Sequence, residues 1–418
     1  VSGQSVSAEH LLVVVGTGPQ LYREYLLASL STRHRIHLLS AIEPGWESPY
    51  LDDASVVPLD GPGAVTAALR ELVGRRPVAG VLTWVEAHVV ETAAAAEAVG
   101  LPGPGRAAAV RCRDKSATRA ALAAHGVPQP VSRLVGHLDQ ARAAADELGY
   151  PVVLKPRAGV ASEGVVLVHD AVELAEHFAT TGATPAEDLP ADDDAVLVEE
   201  YLDGPEISVD TAVHHGRPTP VHVARKEIGF APFFEEIGHT VSGCDPLLRD
   251  PALLRVLEGT HAALGYRDGT THTELKITAD GPKVIEVNGR LGGDLIPYLG
   301  SRASGTDAGL AAAAVACGEP PQVGSPLDAT AGIRFFYPPW PGAIVRSVDF
   351  DRTDLPAETD LLLPLVAPGE VISPPGKGLM DGRVALATAV GGSAASCLAA
   401  LDHAAAALRC SWASRDGS

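Results

Sequence analysis

Two short stretches carry residue types that would assemble a charged face at strand spacing. Thr271-His272-Thr273-Glu274-Leu275-Lys276 sets His272, Glu274 and Lys276 two residues apart, and Val284-Ile285-Glu286-Val287-Asn288-Gly289-Arg290 does the same for Glu286, Asn288 and Arg290. Side chains of a strand alternate between its faces, so each trio shares one side. Whether the two sides coincide depends on the intervening turn at Ala279-Asp280-Gly281. A three-residue loop with Gly281 in the left-handed conformation sets Glu274 opposite Glu286, whereas a two-residue loop at Asp280-Gly281 sets it opposite Val287. We read the three-residue loop, with Ile285 and Val287 burying the other face. Two facing carboxylates and an amide oxygen are hard ligands of the kind magnesium takes, its shell completed by water and nucleotide phosphates. Without a cation the two like charges repel, and one carboxyl is driven toward its neutral form.

Other features point to a phosphate-bearing ligand. Lys115 follows Asp114 at an expected helix start, and Lys155 ends the apolar run Val152-Val153-Leu154, so each ammonium faces a partner or a bound anion. Directly after Lys155 comes a loop of small residues, 156–165, that includes Ser162 and Gly164. Backbone amides in such a loop approach closely and can hold phosphate oxygens. Val198-Glu199-Glu200-Tyr201-Leu202-Asp203-Gly204-Pro205-Glu206 then places acidic residues on both sides of a turn. Its backbone can read an adenine edge, and Glu206 can accept hydrogen bonds from a ribose diol.

The elements that must hold these residues follow from the apolar pattern. The 418 residues predict two to four domains at roughly 150 residues each. Residues 11–112 alternate apolar runs (11–15, 36–39, 78–84) with Ala-rich helical stretches, the rhythm of a parallel sheet. Gly16-Thr17-Gly18 lacks the third small residue of a dinucleotide-binding turn and reads as a plain strand-to-helix connection. Residues 100–105 form a Gly- and Pro-rich link. Helices are expected over 114–125, 138–148 and 172–180, strands over 165–168 and 196–199, and a solvated acidic loop over 182–194. Strands predominate from 206 to 288 around a helix near 251–264, and a helix over 394–409 closes the chain. The fold class is α/β passing into α+β.

Composition excludes several roles. Lys and Arg total 32 against 52 Asp and Glu, a net charge of −20 that repels nucleic acid and anionic membrane surfaces. Five scattered cysteines with no C-x-x-C pair argue against disulfides or structural zinc, and no apolar run is long enough to span a membrane. A soluble, cytoplasmic chain is the expectation.

Taken in order over residues 11–320, Lys115, Lys155, the small-residue loop, Glu199 to Glu206, Glu274, Glu286, Asn288 and Arg290 resemble the ATP-grasp superfamily. Thr271-His272-Thr273-Glu274, the run from Glu286 through Arg290 to Gly293-Asp294, and Phe234-Glu235-Glu236-Ile237-Gly238-His239 are similar to the carboxylate–amine ligases, especially L-amino-acid ligases that make dipeptides. The resemblance implies an ATP-grasp fold divided into an N-terminal parallel-sheet, Rossmann-like domain (1–112), a small subdomain with a clamping loop (113–205), a central subdomain with the metal site (206–320) and a C-terminal lid-like α+β segment (321–418).

The resemblance also implies roles. Lys115 and Lys155 hold the phosphates of ATP, the loop with Ser162 and Gly164 closes over them, and Glu199, Glu200 and Leu202 lie about the adenine, with Glu206 on the ribose. Glu274, Glu286 and Asn288 hold magnesium, with manganese as an alternative. Arg290 neutralises developing charge with help from Lys226. Glu236, His239, Arg290, Gly293 and Asp294 line the amino-acid pocket, Glu236 facing an ammonium and Asp294 disposing it to cationic or hydroxylated partners. His272 reads equally as a pocket or a core residue. The implied reaction joins a carboxylate to an amine through an acyl phosphate, with small-molecule substrates; similar ligases are often homodimers, and the sequence itself does not give the oligomeric state. The alternatives are another ATP-grasp activity, of purine-pathway or carboxyphosphate-using type, and a catalytically silent ATP-binding regulator.

Overall fold

A computed structural model describes residues 11–159, 162–182, 195–324, 327–376 and 382–413. The chain opens with β1 (Leu11–Val15), α1 (Gln20–Ser31), β2 (Arg35–Ser40), β3 (Asp53–Val56), α2 (Ala64–Arg75), β4 (Val78–Leu82) and α3 (Val89–Val99). Its strands form a parallel sheet in the order β3-β2-β1-β4. All five residues of β1 are apolar and buried, as a central strand covered on both faces requires. β3 is not marked by an apolar run, because an edge strand of sequence DASV buries little. The Gly16–Gly18 turn is fixed by protein contacts: Trp84 Nε1 donates to the Thr17 carbonyl at 2.7 Å and Thr17 Oγ1 donates to Glu47 at 2.6 Å.

The second unit runs α4 (Arg106–Arg113), α5 (Lys115–Ala124), β5 (Ser132–Val135), α6 (Leu138–Leu148), β6 (Val152–Pro156), β7 (Val166–Val168), α7 (Ala171–Gly182) and β8 (Val196–Glu200). Its antiparallel sheet has the order β5-β8-β6-β7, and Ala141, Ala144, Ala145 and Leu174 of the helices pack on Val152, Leu154, Val196 and Val198. The expected acidic loop falls almost entirely on residues 183–194, outside the described residues, as do positions 160 and 161 of the small-residue loop.

The central unit contains β9 (Glu206–His214), β10 (Arg217–Gly229), β11 (Glu235–Ser242), α8 (Pro251–Leu264), β12 (Gly269–Thr278), β13 (Gly281–Asn288), α9 (Ile296–Ser304) and α10 (Ala308–Ala316). The last segment adds β14 (Thr330–Phe336), β15 (Ala343–Phe350), β16 (Thr359–Pro364), β17 (Val371–Ile372), β18 (Ala385–Gly391), α11 (Ala394–Ala407) and β19 (Leu408–Ala413). One eight-stranded sheet spans both, in the order β13-β12-β9-β10-β11-β14-β18-β16. The C-terminal segment therefore continues the central sheet. Its remaining strands form a small sheet, β17-β15-β19. The closing helix stops at Ala407 rather than 409, because Leu408-Arg409-Cys410-Ser411-Trp412-Ala413 pairs as a strand with β15.

One apolar cluster joins Leu12, Val14, Leu26 and Leu27 of the first unit to Ala212, Leu291 and the Ala-rich α10. α10 is buried almost all round, which its continuous apolar sequence requires. Among the described residues no helix is long and apolar enough to cross a membrane, and all five cysteines are free thiols.

The β12-β13 hairpin departs from expectation in a way that preserves its key pair. Thr278 pairs with Gly281, so the turn holds two residues, Ala279 and Asp280, and not three. A bulge at Ile285 then shifts the register: Leu275 pairs with Val284, and Glu274 pairs with Glu286. The extra residue breaks alternation. Val284 and Val287 are buried in the core while Ile285 and Glu286 both reach the open side, so Ile285 does not bury the far face as expected.

Candidate functional site

A cleft of about 560 Å³ lies between the β5-β8-β6-β7 sheet and the β12-β13 end of the central sheet. Val153, Val165, Leu202, Phe234 and Ile285 give it apolar walls, and Lys155, Ser162, Glu200, Glu206, Glu274, Lys276 and Glu286 bring polar groups to it. A flat apolar slot edged by polar groups suits a heterocycle with a charged tail.

Both expected lysines are held by acids. Lys115 begins α5, whose N-cap Asp114 accepts from the amides of Ser116 and Ala117. Arg157, in the loop after β6, pairs with the same Asp114 at 2.8 Å, tying the helix start to the strand end. Lys115 Nζ lies 3.3 Å from Glu286 Oε1. Lys155 Nζ lies 3.0 Å from Glu199 Oε2, and Arg119 Nε meets the other oxygen at 2.5 Å. Burial raises the Glu199 carboxyl, but Arg119 and Lys155 outweigh it and hold the group down at about 2. Glu199 thus reaches the cleft as the anchor of Lys155, with no free carboxylate to read a base. Glu206 pairs with Lys276 at 3.3 Å. Glu200 accepts from the Val131 amide, and the Gly164 carbonyl accepts from Thr181 at the back of its loop.

Glu274, Glu286 and Ser162 also line a second cavity of about 1140 Å³, so the two spaces meet there. Its other walls include Tyr22, Arg23, Glu86, Glu236, His272, Asn288, Arg290, Gly293 and Asp294. Arg290 Nε meets Glu86 at 2.5 Å, and Glu86 also meets Arg113 at 3.2 Å. His272 donates or accepts at Nδ1 with Asp210 at 2.8 Å and directs Nε2 to within 3.6 Å of Glu274. Burial disfavours its charge, but Asp210 and Glu274 prevail and push it up to about 9. His272 therefore lines the cavity, its ring drawn toward the protonated form by the two acids.

Lys226 is wholly enclosed on β10, 2.5 Å from Glu236, 2.9 Å from Glu274 and 3.6 Å from Glu206. Three acids outweigh burial and raise its pKa well above the usual lysine value. Glu236 is raised to about 7 by burial and by the charges of Glu274 and Asp294, against the pull of Lys226. These three carboxylates are close enough to suggest a metal cage, but the ammonium already supplies their cation.

Two expected pocket residues behave differently. His239 is buried behind the cavity wall, its Nε2 on the Asp294 carbonyl at 3.0 Å, and burial lowers it to about 4, so it is a neutral supporting residue. Asp294 does line the cavity, but Arg383 grips its carboxylate through two contacts of 2.7 and 3.0 Å, so it offers no free charge to a cationic ligand.

At the meeting point Glu274, Glu286 and Asn288 bring oxygen donors together on one face of the hairpin, Glu274 also touching Lys226 and Glu286 also touching Lys115. Asn288 is buried there, and among the described residues its amide makes no hydrogen bond. That set fits a hard divalent cation.

Comparisons with known proteins bear on the family and the fold. The ATP-grasp domain model matches residues 148–298, and the ATP-grasp N-terminal domain model matches residues 41–103. The chain belongs to the ATP-grasp superfamily. Among curated proteins it is similar to carnosine synthase 1 of Gallus gallus, 33% identical over 280 residues that cover 62% of this chain and 30% of that protein. It is also similar to alanine–anticapsin ligase of Bacillus subtilis, 28% identical over 262 residues that cover 56% of this chain and 53% of that protein. The chain thus spans about a third to a half of the length of these curated relatives. Among solved structures, an L-amino acid ligase from Bacillus licheniformis shares the fold with a TM-score of 0.78 at 22% identity, over 98% of this chain and 100% of that one.

The ATP-grasp cleft also contains residues that no local motif marked. Arg23 and Tyr22 come from α1 and Glu86 from the loop after β4, while Arg383, from just before β18, stands behind the wall on Asp294. Each is a lone residue far in sequence from the hairpin, and only the packing of the N-terminal and C-terminal segments brings it there.

Proposed function

We propose that this ATP-grasp chain is an ATP-dependent carboxylate–amine ligase, joining a carboxylate, read as that of an amino acid, to an amine through an acyl phosphate. The observation that carries the reading is the pairing of Glu274 with Glu286 where the two halves of the cleft meet. One half suits the nucleotide and the other suits the reacting acid and amine.

In this reading the adenine lies between Val153, Val165, Leu202 and Ile285, with the backbone near Glu200 at its edge and Glu206 on the ribose. Lys115 and Lys155 hold the phosphates, and the loop of Ser162 and Gly164 covers them. Glu274, Glu286 and Asn288 hold magnesium, which offsets the charge of the polyphosphate when bound. A substrate carboxylate attacks the γ-phosphorus, releasing ADP, and the amine then displaces phosphate from the acyl group. Arg290, oriented by Glu86, offsets the like charge between carboxylate and phosphate. Glu236 receives the ammonium of the amino acid. Lys226 acts from within the wall, keeping Glu206, Glu236 and Glu274 in place. Covering the cleft matters because water hydrolyses an acyl phosphate.

A phosphate-release screen over pairs of amino acids, with mass spectrometry of the product, tests the reading. Phosphate release that needs two amino acids and yields their condensation product supports it. Dependence on bicarbonate or formate would replace it with another ATP-grasp activity, and no release with any pair would leave an ATP-binding regulator.

A further inference from the structure

Among the described residues, the cations around the substrate half of the cleft are each matched to an acid, with one exception. Arg290 meets Glu86, Lys115 meets Glu286 and Arg383 meets Asp294. Arg23, in the first turn of α1, lines the same cavity and is only 9% exposed. Among the described residues, no carboxylate stands within ion-pair distance of its guanidinium. NH1 donates to the Gly292 carbonyl at 3.0 Å, a neutral acceptor that leaves the charge uncompensated.

The charged and titratable groups that face Arg23 are Tyr25 on its own helix, Arg290, and the carboxylates of Asp210 and Asp294. Asp210 is already bonded to His272 and to the Gly292 amide, and Asp294 is already held by Arg383. Burial, with Arg290 adding to it, presses Arg23 toward its neutral form against the pull of Tyr25, Asp210 and Asp294, whereas the similarly enclosed Arg383 is pushed the other way by Asp294. A buried cation without a counter-charge is unfavourable until an anion joins it. The start of α1 adds to the same field. Gly18 and Pro19 line the cavity, and the helix has no side-chain cap, so the positive end of its dipole lies beside Arg23.

We propose that Arg23 and the uncapped start of α1 bind a free carboxylate on the amine substrate, so that the acceptor is an amino acid rather than a simple amine. This deepens the ligase reading above and rests on it. The carboxylate that is activated has to stand where the two halves of the cleft meet, at Glu274 and Glu286. Arg23 lines only the other half. Its anion is therefore a spectator group, and an amino acid acceptor supplies one.

The test compares standard amino acids with their carboxamides as acceptors, the donor being fixed by the screen. The wild type is expected to favour the acids by about ten- to a hundredfold in kcat/KM, the scale of a charge-assisted hydrogen bond. Arg23→Gln keeps a donor for the Gly292 carbonyl and loses the charge, and it should lower that ratio at least about tenfold, while Arg23→Lys keeps most of it. A ratio taken within one variant is insensitive to how much of that variant folds. A wild type indifferent to the carboxamide, or a ratio unchanged in Arg23→Gln, overturns the proposal and leaves the ligase reading standing. No ligation by the wild type with any pair overturns the ligase reading, and this proposal with it.

Discussion

Glu274 and Glu286 stand directly opposite each other on β12 and β13, in register because a one-residue bulge at Ile285 follows a two-residue turn. The same bulge turns Ile285 into the smaller half of the cleft, the half proposed for the nucleotide, beside Val153 and Phe234. One backbone irregularity thus sets both the acidic pair and an apolar wall.

Ile285→Ala removes that wall and leaves the acids in place. Losing the apolar contact of a branched side chain costs about 1–2 kcal/mol. ATP affinity should fall about five- to thirtyfold with the divalent-cation requirement unchanged, as read by calorimetric titration of ATP. Unaltered affinity would show that Ile285 is no part of the nucleotide site.

Lys226→Met removes the wholly enclosed ammonium shared by Glu206, Glu236 and Glu274, leaving Glu236 with no lysine or arginine partner among the described residues. Breaking a buried ion pair from one side costs about 3–5 kcal/mol, so urea unfolding should show a loss of that order. Adding Glu236→Gln should recover part of it, since Glu236 lies nearest the ammonium. If the double variant is no more stable than the single, the network is not coupled as described.

Acid stability should report on Glu199. Its folded-state pKa, about 2, lies below the ordinary carboxylate value because of Arg119 and Lys155. Its stabilisation is therefore fully present above the unfolded value and is lost as pH falls from about 4.5 toward 2. Glu199→Gln should be less stable at neutral pH and should lose less stability than the wild type across that window, measured by denaturant titration at each pH. Parallel pH curves would contradict the assignment.

Arg383→Met frees the Asp294 carboxylate toward the cavity. Relative kcat/KM for cationic over neutral amino acids should then rise about fivefold, equivalent to roughly 1 kcal/mol. In the wild type, Arg383 already neutralises Asp294. A ratio that stays flat would mean Asp294 does not face the substrate.

What was legible in the sequence was whatever local periodicity encodes. Alternation placed Glu274, Glu286 and Asn288 on one face, and apolar runs placed Lys155 at the end of its strand. Turn and bulge were not separable, because a three-residue loop and a two-residue loop with a bulge give the same pairing of Glu274 with Glu286. Burial of His239 depended on β14 packing beside β11. Arg23, Glu86 and Arg383 carry no pattern of their own, and long-range packing alone makes them neighbours of the hairpin.

The most direct test of the central claim labels the donor amino acid with ¹⁸O in its carboxylate and follows the released phosphate by mass spectrometry. Activation as an acyl phosphate transfers one labelled oxygen to phosphate for each peptide bond formed. Unlabelled phosphate alongside product would contradict the account.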